Sequence, residues 1–249
     1  MQLEQVLLLV AAGVAAGFVN AVAGGGSVFT VPALMLLGMP ADLANGTNRV
    51  GVVMQSVAGV RGFKQHGMLD EAALWPILLP TVVGSLLGAL AASLVPATTL
   101  KPILLGSMLL MTALVVLRPA TFPATHETPS TLRERPAAYA WLFAAGLYGG
   151  FVQAGVGFIL LTALAGVLRY DLVRANALKM ACTLVFGAAA LLVFVWRGQV
   201  SWLPGLIVGL STMVGVKLSV RFAVKAKQAT LKWIFLGMAC VVCIAALLR

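Results

Sequence analysis

The stretch at residues 17–38 reads GFVNAVAGGGSVFTVPALMLLG. In it two apolar runs are separated by the glycine triplet Gly24, Gly25 and Gly26, and Ser27 opens the second run. That second run is shorter than the roughly 20 residues that an upright helix needs to cross a bilayer. Glycine tolerates backbone conformations that other residues avoid, and it allows another chain to approach closely. The stretch therefore predicts a membrane helix that is broken within the bilayer.

The composition of the whole chain supports a lipid environment. Of the 249 residues, 61% are hydrophobic and 10% are charged, which is too little charge to cover the surface of a soluble domain. A soluble enzyme is therefore excluded. The formal net charge of +10 comes from basic residues at the ends of apolar runs, which favours topology signals over a nucleic-acid interface. We expect a multi-pass protein whose partner is the lipid bilayer, with no nucleic-acid partner.

Apolar segments recur along the rest of the sequence, and two of them are short. Each short segment follows a glycine-containing break, and in the second half that break contains Gly155 and Gly157. Segments of this length and number predict an all-α protein. The ten predicted segments cover residues 3–23, 27–38, 45–63, 72–95, 100–117, 137–156, 158–168, 176–196, 203–223 and 231–248.

The two halves of the sequence repeat each other. AAGVAAGFVN at 11–20 matches AAGLYGGFVQ at 144–153. After a two-residue deletion, the alignment that matches Asn45 with Asn176 holds without a gap to the C-terminus, and we call it the repeat register. Matched glycine, asparagine, threonine and lysine positions are harder to attribute to chance than matched apolar ones. The repeat predicts two transmembrane units, 1–118 and 137–249, joined by a polar linker at 119–136.

The distribution of basic residues predicts opposite orientations for the two units. Residues 217–232 carry five lysines and arginines, whereas the matching residues 86–101 carry one. By the positive-inside tendency, the first of these stretches is cytoplasmic and the second is not. We therefore predict an all-α integral membrane protein with two inverted-topology repeats and both termini outside. Each repeat is a glycine-broken helical hairpin followed by three spans, which makes about eight full spans plus short or re-entrant segments.

The two glycine breaks form the first candidate site. A helix that begins at Ser27 points its free N–H groups and its positive dipole end back at the break, which suits an anion. Asn20 adds an amide one turn earlier, and Gln153 occupies the matching place in the second half. The alternative is a close helix contact at small residues. The candidate anion-binding residues here are Asn20, Gly24, Gly25, Gly26, Ser27, Gln153, Gly155 and Gly157.

A second polar cluster, NGTNR at 45–49, is matched by NALK at 176–179. Both are expected to open an apolar helix with a cation in the first turn, where the cation opposes the helix dipole unless an anion or another role compensates. An arginine offers paired donors to an oxyanion, and a lysine offers a point charge. The alternatives are that the asparagines are N-caps and that the cations extend to the membrane interface. The candidate residues, with one further polar position in the first of these helices, are Asn45, Thr47, Asn48, Arg49, Gln55, Asn176 and Lys179.

The acidic residues and the catalytic motifs limit the chemistry. All seven carboxylates lie near segment ends or in the linker, so no mid-span proton relay or cation site is expected. The sequence has no Ser-His-Asp, HExxH or Walker pattern, and its three cysteines lie inside apolar runs. We therefore predict that the chain is not an enzyme and needs neither a cofactor nor a metal.

Three stretches of the sequence resemble the TauE/SafE sulfite exporter family, also called the TSUP group of anion permeases. They are the opening GFVNAVAGGGSVFTVPALMLLG, then ANGTNRVGVV at 44–53, and GGFVQAGVGFILLTAL at 149–164. The resemblance implies an inner-membrane secondary carrier of sulfite, sulfonates, sulfoacetate or related sulfur anions, usually moved outward. It also implies that the glycine triplet with Ser27 is the first-half break and that Asn45, Gly46 and Thr47 form the next element. Ala177 and Leu178 replace Gly46 and Thr47 in the second half.

The function that we expect is secondary transport of a small sulfur-containing anion, moved outward by alternating access at a central site between the repeats. Uptake of a sulfonate or thiosulfate is the first alternative. A membrane scaffold that transports nothing is the second, and it would explain the small residues as packing alone. A homo-oligomer is left open.

Overall fold

The computed structural model of this chain describes residues 1–22, 24–117 and 129–225. These residues form α-helices joined by short turns, with one π-helical segment and no strand, so the all-α prediction is confirmed for this part of the chain. The predicted segment at 231–248 and most of the linker lie outside the described residues. The helices are α1 (Leu3–Val22), α2 (Ser27–Leu36), α3 (Ala41–Gln65), α4 (Leu74–Leu94), α5 (Ala97–Leu117), α6 (Ala137–Phe151), α7 (Val156–Leu161, followed by the π-helix Thr162–Val167), α8 (Leu172–Trp196) and α9 (Trp202–Lys225).

Several of these helices have the length and composition of membrane spans. Among the described residues, four stretches are long and apolar enough to cross a membrane: Leu3–Ala21, Leu74–Leu94, Leu172–Trp196 and Trp202–Phe222. Helix α3 is as long as α8, but it carries polar residues on its buried face. The prediction of about eight full spans stays a prediction.

The predicted starts of α3 and α8 are wrong by one helical turn. We expected these helices to open at Asn45 and Asn176, whereas α3 begins at Ala41 and α8 at Leu172. Pro40 precedes α3, and proline's fixed φ suits the entry to a helix. Asp171 caps α8, because its carboxylate accepts the N–H groups of the residues two and three positions later at 3.0 Å each. The two asparagines are therefore not N-caps.

The glycine breaks reverse the direction of the chain. Gly24 has a left-handed φ of +87°, and its N–H donates to the carbonyl oxygen of Val19 at 3.2 Å. Helix α2 then packs back along α1, so that Leu34 and Leu9 lie in one core cluster. The second break repeats this conformation at Gly155, with a φ of +83°, and α7 packs back against α6. Each broken element is therefore a helical hairpin.

The backbone conformation follows the repeat register of the sequence. Of the left-handed residues in the described chain, six form three pairs that are matched in this register. Five of these six are glycines, which adopt this conformation at little cost. The pairs, with their φ angles, are Gly24 and Gly155 (+87° and +83°), Gly38 and Arg169 (+86° and +62°), and Gly67 and Gly198 (+67° and +68°).

The helix contacts are reciprocal between the halves. Helix α1 packs on α9 as α6 packs on α4, and α3 packs on α9 as α8 packs on α4. Thr47 Oγ1, near the start of α3, accepts the N–H of Ser201 at 2.9 Å just after α8 ends. The Tyr170 hydroxyl, just before α8, donates to Asp70 at 3.0 Å just after α3. Helices α3 and α8 therefore run in opposite directions.

Small residues make the α1–α9 and α4–α6 contacts close. A Cβ added at Gly17 would lie 2.1 Å from the carbonyl oxygen of Thr212, and one added at Gly146 would lie 2.1 Å from that of Thr81. Such approach is typical of helix packing in membranes, where association depends on van der Waals contact rather than on a hydrophobic driving force. These glycines therefore hold the two halves together.

We expect Gly146→Ala to lower the free energy of unfolding by about 1–3 kcal/mol, because the added methyl collides with the backbone of α4. The matched control is Gly106→Ala on α5, where an added Cβ meets no atom within 4 Å and where alanine is the better helix former. Thermal unfolding of the purified proteins in detergent measures both. Equal melting temperatures for the two variants would contradict the packing described here.

Candidate functional site

The two glycine breaks are in direct contact. The N–H of Gly157 donates to the carbonyl oxygen of Gly24 at 3.2 Å. A Cβ at Gly24 would lie 2.4 Å from the Cα of Gly157, and one at Gly157 would lie 2.2 Å from the Cα of Gly24. Gly25 differs, because a Cβ there would only touch the ring of Phe158 at 3.4 Å. The structure thus brings together the two breaks that the sequence singled out.

The first turn of α2 is held by Asn48 of α3. The side-chain amide of Asn48 donates to Ser27 Oγ at 3.0 Å, and Thr30 Oγ1 donates to Asn48 Oδ1 at 2.5 Å. All three side chains are buried. No described side chain caps the N-terminus of α2, and the N–H groups of Val28 and Phe29 donate instead to the carbonyl oxygens of Gly25 and Gly26 at 3.1 and 3.0 Å. The positive dipole end of α2 faces the break.

Arg49 is completely buried and binds the end of α6. One terminal nitrogen, Nη1, donates to the carbonyl oxygen of Gly149 and to Gln153 Oε1, the latter at 2.6 Å. The other, Nη2, donates to the carbonyl oxygen of Gly150 at 2.7 Å. The guanidinium carbon lies 5.3 Å from the ring centroid of Phe194, within the range of a cation–π contact.

Lys179 makes the corresponding contact with the end of α1. Its Nζ donates to the carbonyl oxygens of Asn20 at 2.7 Å and Ala21 at 3.4 Å. It also donates to Asn176 Oδ1, three residues earlier in α8, at 2.6 Å. The side chain is 1% exposed.

Both cations therefore satisfy the carbonyl ends of broken helices. A helix leaves its last carbonyls without intrahelical partners, and a cation near them also interacts favourably with the dipole. We expected Arg49 and Lys179 to lie in the first turn of their own helices or to extend to the interface. Both of those expectations are wrong, because α3 and α8 begin one turn earlier and both side chains are buried. Each cation reaches a helix of the other half.

Three further predicted residues, Asn45, Thr47 and Gln55, differ in their contacts. Asn45 supports the Arg49 contacts, since its Oδ1 accepts from Arg49 at 3.4 Å while its amide donates to the carbonyl of Phe151 at 2.9 Å. Thr47 instead bonds the α8–α9 turn and is not brought to the breaks. Gln55 is buried, and its Oε1 has no hydrogen-bond partner among the described residues.

The buried charge in the described chain is positive. Arg49 and Lys179 are buried, whereas the described Asp and Glu residues are half-buried or exposed; one oxygen of the half-buried Asp42, near the start of α3, is buried without a partner in the described part of the chain. The half-buried Asp70 lies at the α3–α4 turn beside Tyr170, where burial and this carboxylate raise the pKa of the Tyr170 hydroxyl. Among the described residues no group of three His, Cys, Asp or Glu side chains is placed to hold a metal ion.

Two broken helical hairpins that meet at the centre of a multi-pass helical protein, in a positively charged interior, define a class of membrane transporter. The profile of the family described as "Sulfite exporter TauE/SafE" matches residues 9–246, and the chain belongs to this family. The resemblance found in the sequence is therefore confirmed.

Similar proteins of other organisms agree with this class. The chain is 27% identical to a "Probable membrane transporter protein" of Haemophilus influenzae over 92% of this chain and 89% of the relative. It is 26% identical to "Probable membrane transporter protein ORF9" of Sinorhizobium sp over 84% and 79%. It is 25% identical to "Probable membrane transporter protein YfcA" of Escherichia coli K12 over 87% and 80%. The protein is a multi-pass membrane transporter of the TauE/SafE family, which is compatible with the prediction that it is not an enzyme.

We expect Arg49→Gln to lower the free energy of unfolding by about 2 kcal/mol. Each buried carbonyl that loses its donor costs about 1–3 kcal/mol. Part of that cost is offset, because the neutral glutamine avoids the free energy of desolvation that a buried charge carries. The matched control is Arg61→Gln on the same helix, where the side chain is exposed and the change is expected to stay within about 0.5 kcal/mol. Thermal unfolding in detergent distinguishes them, and an equal effect of both substitutions would refute the helix-end role of Arg49.

Proposed function

We propose that this protein is a secondary transporter that exports a small sulfur-containing anion, such as sulfite, a sulfonate or sulfoacetate, across the inner membrane. The observation that carries the proposal is the contact between Gly24 and Gly157 beside the α2 N-terminus, which has no side-chain cap among the described residues. In our proposal an anion at that point meets the positive dipole end of α2 and the polar side chains beside it, because the N–H groups of Val28 and Phe29 are already bonded to Gly25 and Gly26. The outward direction rests on the family's description as an exporter.

The chemistry of the interior favours an anion over a cation. The two buried cations lie beside the breaks, whereas the half-buried Asp42 bonds Gln199 at the α8–α9 turn. In our proposal the substrate-binding groups are those of Asn20, Gly24, Gly25, Gly26, Ser27, Asn48, Gln55, Gln153, Gly155 and Gly157, whereas Asn45, Arg49, Asn176 and Lys179 hold the helix ends that surround them. Thr47 is outside this set, because it bonds the α8–α9 turn.

Alternating access between two inverted repeats is the proposed mechanism. The opposite directions of α3 and α8 and the reciprocal helix contacts support it. One end of the bundle is tied by the contact between Thr47 and Ser201, and the other by the contact between Tyr170 and Asp70. In this mechanism each half adopts the conformation of the other in turn. One of these two hydrogen-bonded contacts breaks while the other remains, and the central site is open to one side of the membrane at a time. From the distribution of basic residues we also propose that both termini lie outside.

We expect Gly25→Ala to reduce transport of labelled sulfite or sulfonate in proteoliposomes about tenfold, while the melting temperature stays within a few degrees of wild type. The methyl narrows the approach to the α2 N-terminus, but only the Phe158 ring lies near it, at 3.4 Å, and the backbone at Gly25 is not left-handed. The control Gly106→Ala is expected to transport at the wild-type rate, since nothing lies within 4 Å of its added Cβ. Wild-type transport by a normally folded Gly25→Ala protein would refute the proposed site.

The alternatives are separated by two further measurements. A scaffold without transport predicts that sulfite, sulfoacetate, taurine, thiosulfate and sulfate leave the melting temperature unchanged, whereas a carrier is stabilised by its substrate. Uptake is distinguished from export by comparing right-side-out with inside-out vesicles under the same gradient. Light scattering of the purified protein reports whether it is a homo-oligomer.

A further inference from the structure

Gln55 is a buried polar side chain whose acceptor is unused. It is 2% exposed, and its Oε1 finds no hydrogen-bond partner among the described residues. Other buried amides of the same helix are fully engaged: Asn45 bonds Phe151 and Arg49, and Asn48 bonds Ser27 and Thr30. A buried acceptor without a partner is costly in an apolar interior, so a retained one points to a ligand.

Gln55 lies at the level of the glycine break. Helix α3 runs back along α2 after a short turn, and Asn48 is level with the first turn of α2 through its bonds to Ser27 and Thr30. Gln55 follows two helical turns later on the same face, about 10 Å further along α3. It has therefore passed the start of α2 and is level with the break.

The repeat leads to the same position. Phe186 matches Gln55 in the repeat register, and the hairpin glycine Gly149 has both the Phe186 ring and Val156 at 2.9 Å from its ideal Cβ. The residue that matches Val156 in this register is Gly25. Phe186 lies next to the second hairpin. Because Gln55 is its match in the repeat register, we expect Gln55 to lie next to the first hairpin, near Gly25.

A positive charge lies beside this position. Lys179 Nζ is held at the end of α1 by the carbonyl oxygens of Asn20 and Ala21. The next residue, Met180, packs against Gly59, one turn beyond Gln55 on α3. Gln55 is thus carried by a stretch of α3 whose earlier turn bonds the start of α2 and whose next turn packs on the neighbour of Lys179.

On the basis of the proposed function, we propose that Gln55 determines substrate specificity by accepting a hydrogen bond from the substrate itself. The oxyanion lies at the start of α2, and an O–H or N–H group of the same molecule donates to Gln55 Oε1. The preferred substrates are oxyanions that carry their own donor, such as hydroxyalkyl or aminoalkyl sulfonates. An alkyl sulfonate without a donor leaves the buried acceptor unsatisfied and is transported less well.

The test compares two sulfonates of nearly equal size, 2-hydroxyethanesulfonate and ethanesulfonate, as competitors of the exchange of labelled sulfite in proteoliposomes. For the wild-type protein we expect the hydroxylated compound to compete about tenfold better, within a range of roughly five- to a hundredfold. Gln55→Met keeps the length of the side chain but removes its hydrogen-bonding groups, and we expect the ratio to fall toward one. The matched control is Gln65→Met, the same substitution at an exposed position of α3, which keeps the wild-type ratio.

The outcomes separate this inference from the proposed function. Equal competition by both sulfonates in the wild-type protein overturns the role of Gln55 while transport of sulfonates stands. An unchanged ratio in Gln55→Met does the same, and equal competition in the wild-type protein overturns the role of Gln55 even if that variant does not fold. Failure of both compounds and of sulfite to compete overturns the proposed function, and the role of Gln55 with it.

Discussion

The arrangement depends on how the polar ends of broken helices are satisfied where there is no bulk water. A helix that stops inside a bilayer leaves its last carbonyls unpaired, and lipid offers them no donor. Here the donors come from the other half of the chain: Lys179 of α8 reaches the end of α1, and Arg49 of α3 reaches the end of α6. Neither hairpin can satisfy the carbonyls at its own break, so each half of the chain depends on a donor from the other half.

The contacts of Arg49 and Lys179 with the ends of α6 and α1 also affect the charge at the start of α2, on the other side of the first break. The cations neutralise the negative ends of α1 and α6, whereas the positive end of α2 has no side-chain cap among the described residues. This distribution of charge supports the anionic substrate that we propose. Gly24 and Gly157 touch at this point because neither carries a side chain that would separate the two breaks.

Much of the fold is predictable from the lengths of the apolar segments and the positions of the glycines. A segment in lipid must satisfy its own backbone hydrogen bonds and is therefore helical, and the left-handed residues at the breaks are mostly glycines. The starts of α3 and α8 are missed because Asn45 and Asn176 resemble caps, whereas Pro40 and Asp171 begin the helices one turn earlier. The roles of the cations are not readable, because spacing along the chain does not reveal which carbonyls of the other half an arginine meets. Thr47 illustrates the converse: it lies in a polar cluster but faces the turn after α8.

The two halves repeat in backbone but not in side-chain chemistry, and this difference makes the two breaks chemically unequal. In the repeat register, Lys179 corresponds to Asn48 and Phe186 to Gln55. The first half thus has amides at positions where the second half has Lys179, which is bound to the carbonyls at the end of α1, and Phe186, whose ring lies against Gly149. Inverted repeats allow two states that are related by a pseudo-two-fold axis. The second break is also polar, since Arg49 bonds Gln153 and the carbonyl oxygen of Gly150 beside it. In the transport that we propose, the anion therefore meets different polar groups at the two breaks.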